Sequence, residues 1–257
     1  MGSRSIAVAM LLFLTSPGSA YAGAPLETET ARLPPKGTFE TDVSLEVQTS
    51  SDGHEFASPI ALEYSMTDRV TFLAEPVPIT TIHPKIGPHA SGMGDLELTL
   101  TGLLLSERRS RPAFAIAGEV KFPTGDSPVI GSGKADFTGY GVASKRFGRV
   151  DMHANLGYTV VGHPSGTTVK NSVNYAAAGE YSIAPRWVLV AEVLGNTSSL
   201  SATSAPESAT TPEISGGETI GMLGARYEIA PTVKGYLGVA VDNNGAVLFR
   251  PGLSARF

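Results

Sequence analysis

Three sites in this 257-residue chain carry residue types that could do chemistry. His83 and His89 flank Pro84-Lys85-Ile86-Gly87-Pro88, and paired imidazoles are a common beginning of a transition-metal site. Their spacing is neither helical nor that of one strand, so nothing local makes them converge, and no metal is expected. His153 stands between Asp151 and Asn155, the residue types of a general base and its orienting neighbours. No serine motif accompanies it, so it reads as a satisfied polar histidine, and an enzyme is not expected. Gly131-Ser132-Gly133-Lys134 has the composition of a phosphate loop but lacks the full spacing, and no helix follows. No cofactor is expected. The remaining candidates are charges inside alternating segments: Glu40, Asp42, Glu46, Glu63, Glu97, Glu119, Asp151 and Glu180 against Lys121, Lys234, Arg250 and Arg256.

These charges sit on strands. Along Gly245–Phe257, Val247, Phe249, Pro251, Leu253, Ala255 and Phe257 alternate with Leu248, Arg250, Gly252, Ser254 and Arg256. A period of two gives one apolar and one mostly polar face. The same alternation recurs from Thr38–Gln48 onward. It is clear in Asp95–Leu105, where Leu96, Leu98, Leu100 and Leu104 oppose Asp95, Glu97, Thr99 and Thr101. It is poorly defined in glycine-rich Lys134–Phe147, and both faces of Arg186–Leu194 are apolar apart from Glu192. Twelve strands of about nine to twelve residues result.

Residues 1–22 have the features of a secretory signal: Arg4, the apolar run Ile6–Leu14, a Ser-Pro-Gly break, and Ala20-Tyr21-Ala22 for cleavage. Residues 23–37 are polar and contain Pro34-Pro35, so a lead-in without regular structure is expected, and 38–257 form one domain. Cleavage removes only Arg4 from 19 basic side chains set against 24 acidic ones; such acidity argues against nucleic acid as a partner. The absence of cysteine excludes disulfides and a lipoprotein anchor.

The connections have a rhythm. Thr67-Asp68, Ser106–Arg111, Gly148-Arg149, Ala184-Pro185 and Ala230-Pro231 are short, whereas Pro76–Gly92, Pro123–Gly133, Gly162–Asn171 and Gly195–Gly217 are long. Short turns at one end and long loops at the other are the layout of a transmembrane antiparallel β-barrel, the all-β fold expected here. A soluble Greek-key sandwich, which can show the same alternation, has no reason to sort its loops so. Charged residues at mid-strand cost about 2–4 kcal/mol on a lipid face if basic and somewhat less if acidic. They are therefore expected, with His153, on the lumen face. Tyr64, Tyr158, Tyr181, Trp187, Tyr227 and Phe257 fall near strand ends on the apolar face, where an interfacial girdle lies.

Four stretches carry a family resemblance: Lys36-Gly37-Thr38-Phe39-Glu40, Gly92-Met93-Gly94-Asp95, Pro123-Thr124-Gly125-Asp126 and Ala191-Glu192. With the terminal Phe, this ordered set resembles the outer-membrane family named for the MetA-pathway of phenol degradation, from about Pro25 to Phe257. Leu103-Leu104 depart from it, standing where a Lys-Tyr-like pair is expected. The resemblance implies a small bacterial outer-membrane barrel that passes or binds small, often aromatic, compounds. By likeness to outer-membrane closing strands, Phe257 is expected to be the signal read by the barrel-assembly machinery.

The reading is thus a monomeric outer-membrane channel for passive uptake of small hydrophobic or aromatic solutes, with outer-membrane lipid as its surroundings. A non-conducting structural or surface-binding barrel is the alternative.

Overall fold

In the computed structural model the described residues are 25–126, 130–163, 169–199 and 217–257. The signal expected at 1–22 lies outside them, as does most of the Gly195–Gly217 loop.

Twelve staves close into one antiparallel barrel. The first four are each broken once. β1 (Phe39–Ser44) continues as β2 (Glu46–Thr49), and β3 (Gly53–Ala57) leads into β4 (Ile60–Thr67). β5 (Val70–Glu75) leads into β6 (Thr80–Pro84), and β7 (Ala90–Gly92) into β8 (Leu96–Leu105). Eight single staves follow: β9 (Ala113–Phe122), β10 (Asp136–Phe147), β11 (Val150–Val160), β12 (Ser172–Ala184), β13 (Trp187–Asn196), β14 (Glu218–Ala230), β15 (Val233–Asp242) and β16 (Val247–Arg256). The ladder runs β1-β4-β5-β8 and then consecutively from β9 to β16, and β1 pairs with β16 to close it. Glu40 lies opposite Arg256 at that seam, and Phe39 and Phe257 exchange backbone hydrogen bonds of 3.2 and 2.8 Å. A second ladder, β16-β2-β3-β6-β7, raises the wall on one side only.

Three of the four breaks coincide with proline; the fourth, between β7 and β8, falls at Met93-Gly94-Asp95. Pro251 in β16 has no N–H to give where β1 hands over to β2, though its carbonyl still accepts from Leu45 (3.0 Å). Pro59 stands between β3 and β4, and Pro76 and Pro78 between β5 and β6. Pro76–Gly92, expected as a plain loop, instead contains β6 and β7. Two runs of five and three residues among four prolines are too short for alternation to show.

Facing distinguishes the barrel from a sandwich. Leu223, Leu156 and Ile116 are 69%, 64% and 54% exposed on the outside, while their strand neighbours Met222, Asn155 and Ala117 turn inward. A soluble sandwich would bury these side chains; a lipid-facing wall displays them. The aromatics at the strand ends also face out, with Trp187 beside Tyr227 (ring centroids 4.7 Å) and Phe39 beside Phe257 (6.4 Å). In β10 the facing hidden by glycine is definite: Asp136, Thr138, Val142 and Ser144 are buried inward, and Phe137 and Phe147 are exposed outward. The two-residue turn to β11 puts Gly148 at φ +62°, the positive φ a primed turn needs at its first centre.

Inside, tyrosines lie over glycines on the neighbouring strand. Tyr140 pairs with Gly157 and Tyr236 with Gly252. A Cβ at Gly157 would meet the Tyr140 ring at 2.5 Å, and one at Gly252 the Tyr236 ring at 2.2 Å. Each tyrosine then donates to an acid across the wall, Tyr140 to Glu119 (2.9 Å) and Tyr236 to Asp42 (2.5 Å). Gly157→Val is expected to displace Tyr140 and destabilise the barrel by about 1–3 kcal/mol. Gly139→Ala, where a Cβ meets nothing within 4 Å, should change little. Urea midpoints of refolded protein, followed by heat-modifiable migration, compare the two.

Candidate functional site: the lumen and the segment inside it

The residues expected to lead into the barrel run up its interior. From Pro25 to Pro34 most side chains are buried, and Leu26 and Ala31 each sit in an apolar nest. Leu26 packs with Val190, Met222 and Ala240; Ala31 packs with Ala113, Ala115 and Val142. With no regular structure of its own, the segment leaves backbone donors that must be met by the wall. Glu192 meets them at the upper end. Its carboxylate accepts from the N–H groups of Leu26, Glu27 (3.1 Å) and Thr28 (2.9 Å) and from the Thr28 hydroxyl (2.8 Å). Ser144 accepts from the Ala31 N–H at 2.9 Å. At the short-turn end Arg32 bonds Glu107 (2.8 Å) and Asp151 (2.5 Å). Gly37, at φ +83°, then turns the chain from the lumen into the wall.

Glu107 lies on the turn after β8 and holds three groups, Arg32, Lys145 (3.2 Å) and the Arg146 N–H (3.0 Å). Burial alone would push its carboxyl up, but these hydrogen bonds hold it below the usual glutamate range. The stabilisation it supplies is therefore present above the unfolded pKa and is lost as pH falls through the folded value.

Every residue expected in the lumen has its side chain on the inward face, but they group unevenly. One wall is acidic: Glu40 lies opposite Glu63 and Glu75 opposite Glu97 in the ladder, with Glu29 and Glu119 lining the same cavity as the second pair. Like charges directly opposite oppose folding, so this arrangement is not a stability device. The other wall carries Arg226, Lys234 and Arg250, and Arg256 stands opposite Glu40 at the seam between β1 and β16. Ion pairs fix several groups: Arg226 to Glu180 (2.5 Å), Lys121 to Asp136 (2.6 Å) and Asp95 (3.6 Å), Arg256 to Glu40, and Arg250 to Glu27 and Glu46 (3.5 Å). Asp151 is shared between Arg32 and Arg146.

His153 has a serine beside it after all. Ser144, directly opposite on β10, lies 2.9 Å from Nδ1, and Asp151 and Glu180 stand 3.7 Å from Nε2. Sequence spacing could not show this, because the pairing is across strands and β10 had no readable facing. The serine is 1% exposed, and its Oγ already accepts the Ala31 N–H, so it seats the inner segment and presents no accessible nucleophile. Glu75, Arg226 and Tyr236 are functional candidates that the sequence reading passed over; the parity of their strands was the available signal. For Pro25–Lys36 there was none. His83 and His89, in contrast, are brought together, with their Nδ1 atoms 2.7 Å apart. Among the described residues no group of three metal-ligating side chains converges.

Glu192→Ala leaves the buried N–H groups of Leu26 and Thr28 without their acceptor, at about 1–3 kcal/mol each if neither finds another partner, and also frees the half-buried N–H of Glu27. Amide exchange of residues 25–30 is expected to quicken strongly while that of β13 and β14 does not. A drop in pH should lower the protection factors of residues 30–36, taken relative to the intrinsic exchange rate at each pH, by weakening Glu107; unchanged protection there in Glu107→Gln would contradict that anchor.

A comparison with curated proteins returns no match. Among solved structures the chain is similar to the COG4313 outer membrane channel from Pseudomonas putida F1, at 13% identity and TM-score 0.71, over 92% of this chain and 100% of that one. It is also similar to the KdgM porin in complex with disordered oligogalacturonate, at 10% identity and TM-score 0.57, over 85% and 99%. The NanC porin follows at 10% and 0.55, over 84% and 98%. At such identities these likenesses show the shared barrel fold. The model for the family described as "Putative MetA-pathway of phenol degradation" matches residues 22–244, and the chain belongs to that family.

Proposed function

We propose that this barrel is a passive channel of the bacterial outer membrane for small, apolar or aromatic solutes, acting as a monomer. Residues 1–22 direct export and are then removed, and the barrel-assembly machinery reads the last strand through Phe257. The observation that carries the reading is that the inner segment does not fill the lumen. A cavity of about 370 Å³ remains between Glu29, Glu75, Glu97, Glu119 and Tyr140, and another of about 240 Å³ beside Met222 and Leu248. The first lies at the small end of the roughly 300–1,000 Å³ range of ligand pockets and the second below it, which suits a small solute. The segment is held by side-chain anchors and not by ladder pairing, so it can yield without breaking the barrel.

Charge narrows the solute class. An acid-rich wall facing a basic one sets a transverse field across the bore; it disfavours polyanions and leaves neutral solutes and cations. The family description, which refers to phenol degradation, supports a neutral aromatic. An enzymatic role has little support, since Ser144 is buried and the acids stand beyond hydrogen-bonding distance of His153.

One observation favours a second reading. Arg32 and Glu192 secure the segment at both ends, which suits a non-conducting barrel whose long loops do the binding. Liposomes distinguish the two. The refolded mature chain is expected to speed phenol uptake more than that of a sugar of similar size, measured over protein-free leak. Equal acceleration would make it a general small pore, and no acceleration by folded barrels would favour the second reading. Glu97→Gln with Glu119→Gln should lower cation over anion preference in planar bilayers; unchanged selectivity in a conducting barrel would count against the lumen assignment.

A further inference from the structure

The one-sided upper wall gathers three of the five histidines. His54 on β3 lies directly opposite His83 on β6. The β6–β7 ladder pairs Thr81 with Ser91 and Ile82 with Ala90, so the next step brings His83 against His89. Directly opposed residues share a face. The register Thr49–His54 and Val47–Phe56 makes that face the outer one, continuous with exposed Val43 and Val47. All three histidines are exposed. The row stands at the end carrying the long loops, which an outer-membrane barrel turns outward to the medium.

The geometry points to a binding site for a divalent transition-metal ion between His83 and His89, with His54, opposite His83 on β3 but not converging on the pair, as a flanking donor brought in by rotation of its side chain. The two Nδ1 atoms are 2.7 Å apart with rings nearly perpendicular (77°). One of these nitrogens must carry a proton to bond the other. Moving that proton to Nε2 of the same ring frees both Nδ1 lone pairs for one metal ion. Zinc–imidazole bonds of about 2.0–2.1 Å in tetrahedral geometry need nitrogens about 3.4 Å apart, a shift that small ring rotations supply. His54 spends Nδ1 on the Thr49 hydroxyl (3.2 Å), leaving Nε2 for a ligand. Water completes the shell. Imidazole donors choose Zn²⁺, Cu²⁺ or Ni²⁺ and give little to Mg²⁺ or Ca²⁺, which take oxygen.

The test is calorimetric titration of Zn²⁺ into the untagged mature chain, refolded in detergent, with excess Mg²⁺ present. One ion per barrel is expected, lost in His83→Ala/His89→Ala and in the milder His89→Gln, weakened in His54→Ala, and retained in His163→Ala. Heat-modifiable migration checks that each variant is folded. No binding by the parent chain, or undiminished binding by folded His83→Ala/His89→Ala, would overturn the site. Full binding by His54→Ala would remove the flanking donor.

Discussion

Hydrocarbon offers no water to an unpaired N–H or C=O, and each one left open there costs several kcal/mol. Every other feature of this barrel depends on that demand being met around a closed circuit. The seam is the place where closure is decided: β1 must find β16 across the whole length of the chain, and Phe39 and Phe257 exchange both backbone bonds to finish it. Once closed, the wall has a fixed inside, and period-two alternation then sends every second side chain into a space too small for all of them to be solvated. The polar network of the lumen is the result. Arg226 is fixed by Glu180, Lys121 by Asp136, and Arg32 by two acids at once.

The bore is partly occupied by a piece of chain, with few bulky side chains of the wall reaching into it. Where a small barrel would pack its interior, this one places small residues such as Ala113, Ala115, Ala178 and Ala240 on the inner face and lays residues 25–34 over part of them. Such a filling needs hydrogen-bond acceptors for an irregular backbone. Glu192 is the most heavily used of these, a buried carboxylate whose role is recognition of main chain. The carboxylates at Glu75 and Glu97 are different. They face each other across the ladder, and holding like charges together in that way is a cost that a purely structural barrel would shed.

Much of this was legible in the sequence because alternation is a strong signal when strands are long. The inward facing of Glu63 or Lys121 follows from parity alone, and the short and long connections order the barrel before any contact is known. Legibility failed where the signal was short or non-local. β6 and β7 hide among prolines, and the glycines of β10 conceal that Ser144 faces His153. The meeting of His83 with His89 depends on the register of a hairpin whose turn holds no diagnostic pair. The polar run Glu27–Arg32 reads as a solvated leader; only the acceptors on β10, β11 and β13, distant in sequence, give it a reason to be buried.

The turn at Gly37 joins the inner segment covalently to the wall it occupies. The segment is therefore an intramolecular ligand, and its occupancy is set by a local concentration that short flexible tethers place in the millimolar range. Dilution cannot empty the lumen, and a second molecule cannot supply the segment as well as the first does. Any molecule that takes the same space competes with a ligand present at constant effective concentration, so its apparent affinity for the lumen reports on that competition as well as on its own contacts.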